Sequence, residues 1–426
     1  MANPRKLAVS ALLKVENDGA YSNITLNHLF ESAELTAEEK RMTTALFYGV
    51  LERKLTLDAV LSTMVKSPLR KTPPYTLQVL RTGLYQIMFM DGIPAFSAVD
   101  ESVKLIKKSK ENRSAGFVNA LLRKAAGKEN LLPAGDDPDA LSIRYSCPRW
   151  IVDTLLSDYG IEDTKGILEE SLKPAPLILR VNTMKTTPAE LLAGLVKNGI
   201  KGELCEGFNN AVQVSRGFDI AKSPLYKKGL FHVQDLASQS VAAALSPKPG
   251  ERILDLCAAP GGKSFTMAQL MENEGEIVSC DLYEQRTGLI AEGAKRLGLP
   301  IIKPQTADGS VFNPALGAFD AVLCDVPCSG LGVMRRKPDI KYKPCEDFGA
   351  LGDIQKRLLS TASQYVAAGG RLIYSTCTLR AAENTQVTGA FLGENDSFHL
   401  TYERTYLPHK DKTDGFYCAV MERGTH

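Results

Sequence analysis

Histidine is scarce, five residues in 426, and the nine cysteines are an odd number scattered singly. That argues against a disulfide framework, and the cysteine spacings fit no zinc finger or ribbon. A metal-free chain is therefore expected. No stretch reaches the roughly 18 continuous apolar residues of a membrane-spanning helix. The one apolar run near the N-terminus, LAVSALL, is cut by Lys14 and Glu16. It reads as an amphipathic helix and not as a signal peptide. Internal repeats and low-complexity tracts are absent. Together these absences predict a cytoplasmic monomer with no membrane partner.

What is present is more than one core's worth of apolar sequence: 44% of 426 residues predicts two or three domains. The net charge of +2 conceals an asymmetry, because residues 60–128 carry 12 basic and only 4 acidic side chains. KLIKKSKENR (104–113) is the densest part. Such clustering suits a polyanionic partner through counterion release, and it equally suits a solvated helix face. The period over residues 1–130 is helical, with Leu7, Ala11, Leu12 and Val15 on one stripe and Leu77, Leu80, Leu84 and Ile87 on another. SAVDESVKLI (97–106) predicts a helix capped by Ser97. GKENLLPAGDDPDA (127–140) reads as a linker. Residues 140–230 then hold helices and a small α+β module of ferredoxin-like or RNA-recognition-motif-like topology. Within it, TPAE (187–190) is a capping box with proline at the first helical position. From 231 to 426 near-continuous apolar strands alternate with helices, the pattern of a parallel sheet covered on both faces.

DLCAAPGGKS (255–264) follows the first of those strands and opens a helix. A phosphate-binding P-loop would need a glycine where Cys257 stands, and a dinucleotide fingerprint would need G-x-G-x-x-G. The remaining reading is a methyl-donor site for a ligand with a ribose, an adenine and an amino-acid tail, whose carboxylate suits the helix start. Asp281 ends the second strand, 20 residues after Gly261. There an acid can bond ribose hydroxyls. Asp308 closes the third strand within reach of an adenine amino group, and Asp325 closes the fourth. Any one of these acids could merely cap the next helix. Their agreement on one sheet edge favours S-adenosylmethionine.

Cys328, in DVPCSG, and Cys377, in YSTCT, close two strands of the same sheet, 49 residues apart. Carbon 5 of a pyrimidine is a poor nucleophile. A thiolate added at carbon 6 makes the ring enamine-like, so that carbon 5 can attack a methyl sulfonium, and a second thiol can assist the later exit. An ordinary thiol, of pKa about 8.5, is mostly protonated at neutral pH. Arg335, Arg336 and Lys337 could raise the ionised fraction or grip phosphate. Asp325 could bond the ring at N3 and the amino group, favouring cytosine. Cys257, Cys280 and Cys324 read as packing. Chemistry alone does not order the two cysteines.

CAAPGGKS, DVPCSG and YSTCT resemble the signature motifs of the RNA cytosine-C5 methyltransferases of the NOL/NOP/Sun group, from roughly Gly229 to the C-terminus. Upstream, DGAYSN, GVLERK, LRTGLYQI, SAVDESVKL and GFVNALLRK are similar to NusB-like RNA-binding domains. The resemblance implies an all-α NusB-like domain (1–130), the small α+β module (140–230) and a Rossmann-like class I methyltransferase domain (231–426). Donor contacts would come from Cys257, Ala258, Ala259, Pro260, Gly261, Gly262, Lys263, Asp281, Asp308 and Asp325. It makes Cys377 the nucleophile and gives Cys328 a part in product release. The fusion to a NusB-like domain implies bacterial 16S rRNA as partner. TLRAAEN departs from the group in lacking a proline before Glu383, while Glu383 and Asn384 are retained. An RNA-binding, antitermination-like protein with an inert methyltransferase domain is the alternative from another class. Methylation of a tRNA or of another rRNA site is the alternative within enzymes.

Overall fold

The computed structural model describes residues 3–18, 22–31, 35–215 and 218–425. Residues 19–21 of DGAYSN, and Arg216 at the end of an expected strand, lie outside the described residues. The chain forms two compact units, the first running to Leu172 and taking in Lys337–Lys343, the second holding Lys173–Arg336 and the chain from Pro344.

The first unit is helical, with its core between helices such as Pro4–Asp18, Ala37–Glu52, Pro74–Phe89, Ala95–Lys107 and Ala115–Ala126. The expected stripes supply that core: Leu12, Leu80 and Leu84 are buried beside Leu46, Phe47 and Ile106. Burying each such side chain contributes roughly 1.5–3 kcal/mol. The expectation at Ser97 is corrected. Its helix begins two residues earlier, at Ala95, because Pro94 and not Ser97 is the flanking residue, and the Ser97 N–H donates to the Pro94 carbonyl. From Lys337–Lys343 the unit gains Tyr342, whose hydroxyl donates to the Leu51 carbonyl at 2.7 Å.

The second unit contains two sheets. The smaller comprises β1 (Leu177–Val181), β2 (Gly202–Cys205), β3 (Phe208–Val214) and β4 (Phe231–Val233), in the antiparallel order β2-β3-β1-β4. Helix Pro188–Lys197 packs on it through Leu191 and Leu195 and starts at the expected capping box, Thr187 with Glu190.

The larger sheet is built from β5 (Arg252–Asp255), β6 (Glu276–Asp281), β7 (Ile302–Thr306), β8 (Phe319–Asp325), β9 (Val366–Thr376), β10 (Phe398–Tyr406) and β11 (Phe416–Arg423). Its order is β10-β11-β9-β8-β5-β6-β7. The five strands from β9 to β7 are parallel, as expected. The last two add an antiparallel hairpin that the alternation did not signal. β10 is an edge strand exposed along nearly its whole length, so it carries no apolar pattern to read. From β5 the chain winds one way to β7, then returns to build β8 and β9 on the other side. The order therefore reverses between β5 and β8, where such sheets open a crevice at their carboxyl ends.

A buried ion network joins the two sheets. Arg336 donates to Asp235 at 2.8 Å and to the Pro176 carbonyl at 3.1 Å, and it also bonds Asp414. Arg335 pairs with Asp414 at 2.7 Å. Both arginines are thus committed to buried carboxylates, which corrects the expectation that they serve a thiolate or a phosphate. Breaking a buried pair leaves its partner charged and dry. Arg336→Met should therefore lower stability by roughly 3 kcal/mol or more in urea unfolding. A loss of polyanion affinity at unchanged stability would restore the phosphate reading.

Candidate active site

After β5 the chain turns tightly back on the sheet. The Ala258 N–H donates to the Cys280 carbonyl and the Gly261 N–H to that of Ala258, both at 2.7 Å. Gly261 has φ +103°, and a Cβ there would stand 2.5 Å from the Phe265 ring, so only glycine fits. Helix Gly262–Leu270 follows, and its first-turn N–H groups have no partner within the helix. The Ser264 hydroxyl donates to Asp255 at 2.6 Å. Asp255 is buried, and loss of water pushes its pKa up to about 7. Its Oδ1 lacks a hydrogen-bond partner among the described residues.

Lys263, the second residue of that helix, reaches across to β8, where its Nζ lies 2.6 Å from Asp325 Oδ2. The other Asp325 oxygen accepts from the Ser375 hydroxyl of β9, also at 2.6 Å. Burial works against the Lys263 charge, but Asp325, then Asp255 and Cys377, outweigh it, so the ammonium is held. The Phe416 ring lies 5.0 Å from Nζ.

Cys328 and Cys377 meet here, with their sulfurs 3.2 Å apart. Two loops carry them, and cross-bonds fasten one loop to the other. The Val326 N–H donates to the Ser375 carbonyl and the Gly332 N–H to that of Cys377, both at 3.0 Å. The Ser329 and Thr378 hydroxyls bond at 2.7 Å. The Cys328 thiol is driven well above the ordinary cysteine value, first by its bond to Cys377, then by burial and by the charges of Cys377 and Glu383. Either sulfur can be the donor of this contact, and the upward shift favours the protonated form of Cys328.

The remaining expected residues are spread along the same edge. Asp281 is buried at the end of β6 and is engaged by Arg286 at 3.3 Å and by the Tyr283 N–H. Asp308 lies beyond β7, exposed, and its carboxylate accepts from the N–H and hydroxyl of Ser310, so it also serves a local turn. Cys257 is half-buried, with its pKa raised chiefly by burial. Cys280 and Cys324 are buried in strands as packing. Sequence reasoning did not single out Asp255, Ser375, Glu383 or Gln355 for the site. Asp255 and Ser375 stand at the carboxyl ends of strands, which is the signal that could have found them.

A sheet that reverses its strand order beside a glycine turn, with an acid closing the next strand, opens a ligand crevice of the kind that takes an adenosine-bearing cofactor. The comparisons agree. Residues 242–422 match the family described as 16S rRNA methyltransferase RsmB/F, residues 2–127 the NusB family, and residues 147–221 the RsmF/B-like ferredoxin-like domain. The chain is 38% identical to the probable ribosomal RNA small subunit methyltransferase B of Bacillus subtilis, over 99% of both chains. It is 30% identical to the protein of the same name from Synechocystis, over 99% of this chain and 100% of that one. Among solved structures, PH0851 shares the fold over 99% of both chains, with a TM-score of 0.81 and 24% identity. A methyltransferase homolog from Pyrococcus horikoshii aligns with a TM-score of 0.60 and 27% identity, over 68% of this chain and all of that one. The chain belongs to the 16S rRNA methyltransferase B/F family, whose catalytic fold is that of S-adenosylmethionine-dependent enzymes. It carries both the NusB and the ferredoxin-like domains, and no helix among the described residues is long and apolar enough to cross a membrane.

If Asp281 holds a ribose, Asp281→Ala should weaken S-adenosylmethionine binding by roughly 1.5–3 kcal/mol, the worth of charge-assisted hydrogen bonds. Calorimetry measures this directly, and an unchanged Kd would remove Asp281 from the site.

Proposed function

We propose that the chain methylates carbon 5 of a cytosine in 16S rRNA through a covalent bond between Cys377 and ring carbon 6. The observation that carries this reading is the pair of sulfurs 3.2 Å apart beside the Lys263–Asp325 ion pair. A donor site fits the residues present: the Gly261 turn leaves the start of helix Gly262–Leu270 open to a ligand carboxylate, and Asp281 is a buried acid at the next strand end. The backbone from Cys257 to Lys263, with Asp281, Asp308 and Asp325, would hold S-adenosylmethionine. When bound, that ligand supplies an electrophilic methyl group.

The chain's own part is to make carbon 5 nucleophilic. The base must be presented unstacked, because no side chain reaches carbon 6 inside a helix. Lys263 interacts electrostatically with Cys377, and a cation near a thiol suits an attacking thiolate. Its attack forms the S–C6 bond and pushes electron density toward N3. The Lys263–Asp325 pair is the proton-bearing group at hand to meet that charge. Once carbon 5 carries the methyl group, water takes its proton. The C5–C6 double bond re-forms, and the S–C6 electrons return to Cys377. Cys328 S–H, kept protonated, donates to that departing sulfur.

Cys377→Ser should bind donor and RNA yet form neither product nor adduct. Cys328→Ala should still attack and transfer, but release should slow by on the order of 100-fold or more, the usual worth of a positioned proton donor. A protein–RNA band should then accumulate on a denaturing gel. The reverse pattern would make Cys328 the nucleophile.

For the helical unit, the exposed Lys107, Lys108 and Lys110 are assigned to phosphate binding. Replacing all three by glutamine should weaken rRNA binding and flatten its log–log salt dependence by about 0.7–0.9 for each phosphate no longer neutralised. An unaltered slope would mean that this face is only solvated.

A further inference from the structure

Glu383 is a buried acid, only 2% exposed, set back from the donor loop. Its Oε2 accepts from the Ser329 N–H at 2.9 Å and from Gln355 Nε2 at 3.0 Å, and the same Gln355 nitrogen donates to the Pro327 carbonyl at 3.0 Å. Its Oε1 pairs with Arg380 at 3.1 Å, and its carbonyl accepts from Tyr374 at 2.6 Å. Pro327 and Ser329 are the two neighbours of Cys328 in the chain, so this one carboxylate, with Gln355, fixes the backbone on both sides of that thiol. The next residue, Asn384, does the same for the other loop. It accepts from the Thr376 hydroxyl at 2.6 Å and donates to the Thr378 carbonyl at 3.0 Å, on either side of Cys377. Burying a carboxylate is costly, and here Arg380 offsets that cost. A negative charge here bears on the thiol beside it.

We propose that Glu383 is a positioning residue for product release: it fixes Pro327–Ser329 so that the Cys328 S–H is aimed at the Cys377 sulfur when the S–C6 bond breaks. The inference rests on the reading above in which Cys377 is the sulfur that leaves. Glu383 touches no reacting atom. It acts through Cys328, and its loss should therefore copy the loss of that thiol while the thiol is still present.

The test compares Cys328→Ala, Glu383→Ala and Glu383→Gln in the full chain with 16S rRNA and S-adenosylmethionine. Donor affinity, the first methyl transfer, multiple turnover and the adduct band are read for each. Glu383→Ala should leave donor affinity and the first transfer near wild type, slow multiple turnover by ~10-fold or more (about 1.4 kcal/mol) and accumulate adduct. Glu383→Gln, which keeps an acceptor for the Ser329 N–H, should accumulate less. Should Glu383→Ala not fold, Gln355→Leu removes the Pro327 tie and one bond to Glu383 while keeping the carboxylate, and it should accumulate adduct too, so the absence of adduct would overturn the proposal. Equal slowing of first transfer and turnover in Glu383→Ala, with no adduct, would also overturn it. If Cys328→Ala itself forms no adduct, the release reading has failed and this proposal falls with it, whereas adduct in Cys328→Ala without adduct in Glu383→Ala overturns the proposal alone.

Discussion

The methyltransferase-family half of this chain is arranged around one part-buried ion pair, Lys263 with Asp325. A lysine taken out of water costs several kcal/mol unless a partner meets it with good geometry. Three elements must agree to supply that geometry. The turn at Gly261 fixes where the helix begins and therefore where its second residue points, which is why a side chain at 261, striking Phe265, could not be absorbed. β8 must end at Asp325, and β9 must bring Ser375 to the remaining oxygen. Because Lys263 rides on the turn after β5, the pair spans the gap where strand order reverses. A buried pair of this kind adds little net stability compared with an apolar replacement. Its presence at the crevice is better explained by chemistry than by folding.

The same pair breaks the symmetry between two chemically identical thiols. Sulfurs 3.2 Å apart cannot both ionise, since the second charge would face the first in a site shielded from water. At most one of them can lose its proton, and the surrounding charges bear on which. Glu383 is among the charges that disfavour the thiolate at Cys328, and Lys263 interacts electrostatically with Cys377. The spacing of the two motifs left the order of nucleophile and helper open, and the proposed order is the one that suits this unequal placement of charge.

The parallel strands were legible because burial on both faces leaves near-continuous apolar runs, and the acids and cysteines at their ends were legible for the same reason. The edge strand β10 was not, since exposure on both faces removes the pattern. Side-chain destinations were harder still. GGKS announces a helix start, but nothing local says that Lys263 turns away from the glycine loop to Asp325, 62 residues on. Arg335 and Arg336 looked like loose positive charge because their buried partners, Asp414 and Asp235, lie 79 and 101 residues away. Ser97 looked like a cap because its type suits one, while the proline three residues earlier had already set the helix start. Charge and turn chemistry are local signals, and pairing across a sheet is not.

Those long-range pairings also bind the donor side of the site to the acceptor side. Ser264 holds Asp255 at the glycine turn, the adjacent Lys263 holds Asp325, and Asp325 holds Ser375, two residues before Cys377. Each Asp325 oxygen has a partner in this chain, so a change at any member leaves a polar group short of a partner at the next. Substitutions in such a network do not add. Once Lys263 is replaced, further loss at Ser375 should cost less than it does alone, because the carboxylate between them is already misplaced. The glycine turn and the Cys377 loop are therefore coupled, joined through a single carboxylate at the reversal of the sheet.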